Sequence, residues 1–236
     1  MWQSLKDEVR RQQSFFDEKI RTAVDDCTTS GGRIYCHRGC RNCCNLAVQC
    51  TFTEALLIAD TLGEKHTAVL HEHISRLRQH IGEAVDLKSY LRLHRQRIGF
   101  CPFLEADGSC GVYSMRPFAC RSLLSTRPAD WCAVDFAELH PLEKQAFLSS
   151  LDPNLVAWPT HYLAAPRDLG QELESAAFWN MHVTFGFTLS GNLPFLVWLV
   201  REYGLCAVAA KGYAEVQSLL EKECLHLPFL VNLHHS

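Results

Sequence analysis

Cys36-His37-Arg38-Gly39-Cys40-Arg41-Asn42-Cys43-Cys44 carries four thiols within nine residues, a density in a polar stretch that packing alone does not explain. A second set, Cys101, Cys110, Cys120 and Cys132, follows at spacings of nine, ten and twelve among turn-forming and cationic residues. The reading that organises the chain is that the two sets meet in space and hold metal. Thiolates select zinc, copper(I) and iron-sulfur clusters, and four around one centre is the usual demand of zinc or of a 4Fe-4S cluster. Cys40-x2-Cys43 lets two sulfurs reach one centre from a tight loop, and Gly39, having no side chain, relieves the bend that brings Cys36 round.

The vicinal pair Cys43-Cys44 is awkward for a single ion, because neighbouring side chains in extended backbone point to opposite faces. Cys36, Cys40, Cys43, Cys44, Cys101, Cys110, Cys120 and Cys132 suffice for two four-ligand centres or one larger cluster, and the count does not choose. Arg38, Arg41, Arg116 and Arg121 stand beside them. These arginines are expected to bind the cofactor from outside, offsetting thiolate charge and donating hydrogen bonds to the sulfurs. Cys206 and Cys224, in apolar helical surroundings, read as core. Cys27 and Cys50 flank the loop and stay open.

With 236 residues, 47% of them hydrophobic, the chain can bury a core without needing metal to fold at all. A formal charge of -3 and a pI near 6.4 give no bias toward nucleic acid or an anionic membrane. The N-terminus, Met1-Trp2-Gln3-Ser4-Leu5-Lys6-Asp7-Glu8, lacks the apolar stretch of a secretory signal. Apolar runs such as Leu193 to Val200 are far short of the roughly 20 residues of a spanning helix. The expectation is a cytoplasmic, membrane-free protein whose thiols stay reduced or bind metal.

Leu5, Val9, Phe15, Phe16, Ile20 and Val24 recur at roughly helical spacing and predict an amphipathic helix from Trp2 to Cys27. Thr28-Thr29-Ser30-Gly31-Gly32 ends it and leaves the first cysteines in a loop. Thr51 and Glu54 form a capping box for a helix to about Leu62. Residues Lys65 to Arg97 read as one long helix or two, breaking near Gly82 and Asp86-Leu87. On it, His66, His73 and His80 recur every seven residues, about 10 Å apart at each step and too far for one ion; they predict a solvated polar face. Asp107-Gly108 between apolar residues predicts a hairpin of two very short strands that brings Cys101 and Cys110 together. Pro117 makes Arg116 to Arg121 a turn or helix start. Pro141 to Leu151 reads as a short helix, 152–170 as a proline-punctuated linker, and Gln171 to Leu233 as helices interrupted at Gly186, Ser190-Gly191-Asn192 and Gly204.

Four blocks in order, Cys36-x3-Cys40-x2-Cys43-Cys44, Cys101-Pro102-Phe103-Leu104, Cys110-Gly111-Val112-Tyr113 and Arg116-Pro117-x2-Cys120-Arg121, resemble the CxxCxxCC or YkgJ-like cysteine-cluster family. That family of zinc- or iron-chelating domains includes flagellin lysine N-methylase. The likeness covers about residues 33–125 and puts Cys36, Cys40, Cys43, Cys44, Cys101, Cys110 and Cys120 on the family's cysteine positions. Cys132 lies outside the motif, and 135–236 resemble nothing placed. The methylase connection implies protein modification as one activity, although no Gly-x-Gly loop after a strand offers a nucleotide or methyl-donor cradle. The Cys36-x3-Cys40-x2-Cys43 spacing of a radical enzyme is present without the alternating strands and helices of its barrel.

The fold class that follows is mainly α, with irregular cysteine-rich metal-binding loops and a short β-hairpin packed on a helical scaffold. Residues 1–134 form a helical domain with the bipartite site, and 135–236 a C-terminal annex packed on it. The cofactor expected is an iron-sulfur cluster, with zinc the alternative; the function expected is iron-sulfur-dependent protein modification or redox chemistry. The competing expectations are a zinc- or cluster-stabilised binding module that contacts a protein partner, and metal storage or delivery.

Overall fold

The computed structural model describes residues 1–235. In chain order the helices are Trp2–Thr29 (α1), Phe52–Thr61 (α2), Lys65–His80 (α3), Leu87–Leu93 (α4), Phe118–Arg121 (α5), Pro141–Ser149 (α6), Ala164–Phe185 (α7), Leu193–Glu202 (α8), Leu205–Ala209 (α9) and Tyr213–Lys222 (α10). Three strands, Gln49–Thr51 (β1), Phe187–Asn192 (β2) and Val231–His235 (β3), form one antiparallel sheet in the order β1-β2-β3. The mainly helical class is as expected. Among the described residues no helix is long and apolar enough to cross a membrane.

α1 buries Leu5, Val9, Gln13 and Phe16, steps of four, four and three that make one stripe. Phe15, counted in that stripe from sequence, is exposed, and Gln13 takes the inward position. Its Nε2 donates there to the Arg116 carbonyl at 3.3 Å, while its Oε1 is buried without a partner. α2 is capped as Thr51 and Glu54 predict, both halves of the capping box being closed. Its residues Phe52 to Ala59 are all buried, because α1, α8 and the sheet cover it on every side.

The main core runs from Cys50 to Val231, so both halves of the chain contribute to it. β1 pairs with β2 in the register Gln49↔Asn192, a join between residues far apart in sequence. Ser190-Gly191-Asn192, read as a break between helices, is therefore strand. A Cβ on Gly191 would lie 2.1 Å from the Leu230 carbonyl oxygen, so glycine is what lets β3 approach. Asn192 leaves the strand to start α8, its Oδ1 accepting from the Phe195 N–H and its Nδ2 donating to the Tyr90 hydroxyl.

Three further expectations change. The Asp107-Gly108 turn forms, but its arms meet only in the single Leu104↔Cys110 bridge rather than in strands, since Pro102 and the loop at Gly111 leave no length for a ladder. The 152–170 stretch is not a free linker: Val156, Ala157, His161 and Leu163 are buried, and Ser125↔Tyr162 and Val156↔Leu163 bridges hold it. Cys224 is exposed, because α10 ends just before it and its backbone turns to φ +52°.

His73 is also not on a solvated face. The middle of α3 is covered by α8 and by the π-helical turn His94–Ile98, leaving His73 fully buried with its ring 6.0 Å from that of His94. Burial, with His94 and Arg76 adding to it, pushes the His73 imidazole down to about 3. The unfolded chain therefore takes up a proton near pH 6.5 that the folded chain refuses until about pH 3, so stability falls as pH drops through that window. His73→Leu removes this term: its stability relative to wild type should rise by about 1.4 kcal/mol per pH unit of acidification within the window. Urea denaturation at pH 7, 6, 5 and 4 checks this, and a mutant–wild-type difference that stays constant would refute it.

Candidate metal centre

All twelve cysteines are free. Three backbone contacts bring the two sets together. The Cys101 N–H donates to the Cys44 carbonyl at 2.7 Å, joining the first loop to the hairpin. The Tyr35 N–H donates to the Ser125 carbonyl at 2.9 Å, joining it to the chain after α5. Gly39 and Gly108 meet directly: a Cβ on Gly108 would stand 2.9 Å from the Gly39 carbonyl oxygen, and both residues have positive φ. The two glycines are thus the point at which loop and hairpin touch, which a side chain on Gly108 would pry open.

Cys120 is placed from a different direction. Glu54, fully buried at the head of α2, accepts from the Thr51 N–H and hydroxyl with one carboxylate oxygen and from the Phe118 N–H with the other, at 2.7 Å. That last bond fixes the start of α5, on which Cys120 sits one turn away.

Cys43 lies centrally among the thiols. A charge on it would disfavour thiolate at Cys36, Cys101, Cys110, Cys120 and Cys132, and its own nearest thiol is that of Cys44. Asn42–Asn45 is a 3-10 turn, which keeps the Cys43 and Cys44 thiols close enough to influence one another; the opposite-facing arrangement expected of the pair holds only for extended backbone. Around this hub the thiols fall into two lobes. Cys101, Cys110 and Cys120 interact with one another on one side, and Cys36, Cys40 and Cys132 on the other.

Burial pushes the Cys36 thiol up to about 11 and that of Cys120 up to about 12. Cys43 is raised by its bond to Cys44 and by burial, and Cys101, Cys110 and Cys132 chiefly by burial. Without a cation the assembly is therefore a set of neutral thiols, since each thiolate would repel the next. A bound metal reverses that balance and expels the protons. The surroundings already favour the charged form locally: the Ser125 N–H donates to Cys36 Sγ at 3.2 Å, and the backbone N–H groups of Phe103 and Val112 are directed at the sulfurs of Cys101 and Cys110. Such N–H···S bonds are those that stabilise metal-bound thiolate. In kind and number the donors fit zinc or iron. Among the described residues no three His, Cys, Asp or Glu side chains already converge to ion-holding distance, so closing a shell requires the thiols to turn about their χ1 bonds.

The arginines separate. Arg116 lies where it favours thiolate at Cys43, Cys110 and Cys120, its guanidinium stacked 3.7 Å from the Tyr113 ring centre. Arg121 is buried and holds Asp17 and the Ser114 and Arg116 carbonyls. Arg41 stacks on Phe100 and Arg38 lies near Asp107. Cys50 is buried beside Glu54 and Cys120, Cys27 is buried, and Cys206 is half-buried.

Two residues at the assembly had no sequence signal. His161 Nε2 stands 3.4 Å from Cys132 Sγ, and the Tyr162 side chain lies close enough to the same sulfur to influence it. They lie 29 residues beyond Cys132 in a proline-rich stretch, and no spacing rule connects them.

Residues 35–141 match the CxxCxxCC family model, described as "Putative zinc- or iron-chelating domain". The match covers the cysteine-rich part of the chain, in agreement with its motifs, and reaches past Cys132. No curated protein and no solved structure matches the chain.

Proposed function

We propose that this chain, as the carrier of a zinc- or iron-chelating domain, holds an iron-sulfur cluster on the two thiol lobes around Cys43 and uses it in redox chemistry or protein modification. The observation that supports this is the gathering of thiols itself: six cysteines from four separate segments lie within electrostatic reach of one central thiol, Cys43. That is more sulfur than one zinc ion takes. Cys36, Cys40, Cys43, Cys44, Cys101, Cys110, Cys120 and Cys132 are the proposed ligands, with Arg116 the cation that offsets their charge.

An iron-sulfur cluster would supply one-electron transfer at a potential set by burial and by hydrogen bonds to its sulfurs. The chain's own part is to hold the sulfurs with N–H donors from Ser125, Phe103 and Val112, and to keep water from the inner lobe. A structural zinc serving a binding module is the second reading. It is favoured by the exposed Trp179 and Val183, four residues apart on α7, which would suit a protein partner. In either case the protein is proposed to work in the cytoplasm, where its thiols stay reduced.

Anaerobic purification followed by iron, zinc and acid-labile sulfide determination decides between the two. Iron and sulfide together, with broad visible absorption bleached by dithionite, are expected. Stoichiometric zinc without visible absorption would remove the cluster and leave the structural reading, and a metal-free protein that takes up neither would remove both.

A further inference from the structure

Cys132 sits at the end of the 3-10 turn Ala129–Cys132, and Arg95 holds that turn by donating to the carbonyls of Cys132, Ala133 and Val134. His161 faces it from the segment that leads into α7. Its backbone is pinned twice, the Thr126 N–H and hydroxyl both donating to the His161 carbonyl at 3.0 and 2.9 Å. Its ring is 4% exposed and wedged against Phe147 and Tyr162. The imidazole is thereby aimed at the sulfur rather than free to seek water.

The separation has a chemical meaning. Zinc bonds of about 2.3 Å to sulfur and 2.0–2.1 Å to nitrogen, at a tetrahedral angle, put the two donor atoms roughly 3.5 Å apart. Cys132 Sγ and His161 Nε2 are 3.4 Å apart. Cys36 stands on the same side, its Sγ accepting from the Ser125 N–H at 3.2 Å while Ser125 bridges to Tyr162, and Cys40 and Cys132 are near enough to disfavour its thiolate.

We propose that His161 Nε2 is a metal ligand, binding together with Cys132, Cys36 and Cys40 a divalent ion or the outer metal of a cluster on this side of the assembly. The inference rests on the reading that the cysteines chelate metal, and it adds a nitrogen donor from outside residues 35–141. The site is then a mixed sulfur and nitrogen one, closed by the part of the chain that follows the chelating domain. Metal binding and the seating of the segment before α7 become one event.

X-ray absorption at the edge of the metal found in the full-length protein reads the donor atoms directly. Wild type should show a sulfur shell plus a nitrogen at about 2.0–2.1 Å. That nitrogen should vanish in His161→Gln and be replaced by sulfur in His161→Cys. Cobalt(II) titration should show affinity at least about tenfold weaker for His161→Gln and restored in His161→Cys. A sulfur-only shell in wild type, or a nitrogen that survives His161→Gln, would overturn the assignment while leaving chelation intact. Wild-type protein that binds no iron, zinc or cobalt would overturn both.

Discussion

Cys43→Ser should abolish stoichiometric metal binding, whereas Cys224→Ser should leave it unchanged. Cys43 is the thiol through which the others are coupled, and it links the inner lobe of Cys101, Cys110 and Cys120 to the outer lobe of Cys36 and Cys132. Serine keeps the size but offers a poor donor for zinc or iron. Cys224 is exposed and outside the assembly, so it controls for nonspecific thiol chemistry. Metal that binds only the folded chain stabilises it by about 4 kcal/mol when its free concentration exceeds Kd by about 1,000-fold. For a chain of this size that corresponds to roughly 10 °C in Tm. Wild type with and without metal should differ by that order, and the difference should collapse in Cys43→Ser. Retained metal with an unchanged Tm difference would show that the assembly is not organised on this residue.

Glu54→Ala should destabilise the fold by about 3 kcal/mol and loosen Cys120, while Glu54→Gln should cost about half as much. The carboxylate is fully buried and receives the Thr51 N–H, the Thr51 hydroxyl and the Phe118 N–H. Alanine strands these donors in the core, each unsatisfied group costing about 1–3 kcal/mol, whereas glutamine keeps one acceptor oxygen. Since the Phe118 N–H begins α5, the loss should also expose the Cys120 thiol, pushed up to about 12 by burial, to reagent. Urea denaturation of the metal-free proteins and the rate of thiol alkylation read the two effects. A Glu54→Ala variant as stable as wild type would mean that the carboxylate does not join α2 to α5.

The capping box, the extent of α1, the Asp107-Gly108 turn and the cysteine density could all be read from the sequence because each depends on residues within one or two turns of chain. The same locality explains why the four motif blocks were recognisable without a structure. Where expectations failed, a distant element was responsible. β2 was hidden in Ser190-Gly191-Asn192 because its strand character comes from β1 and β3, and Gly191 from the approach of Leu230. His73 looked like a surface residue because its cover, α8 and the turn at His94, is invisible in the local pattern.

For Cys36 to Cys44 the division is sharp. The concentration of thiols there, the bend at Gly39 and the second set downstream are legible in the residues alone, since these are matters of composition and local backbone. It took the folded chain to show that Cys43 lies centrally among the thiols, that Arg116 rather than Arg121 favours their charged form, and that His161 stands beside Cys132. Those facts depend on where Gly39 meets Gly108 and on how 152–170 folds back. Side chains so far apart in sequence are brought together by the shared core, and no local rule of spacing encodes that.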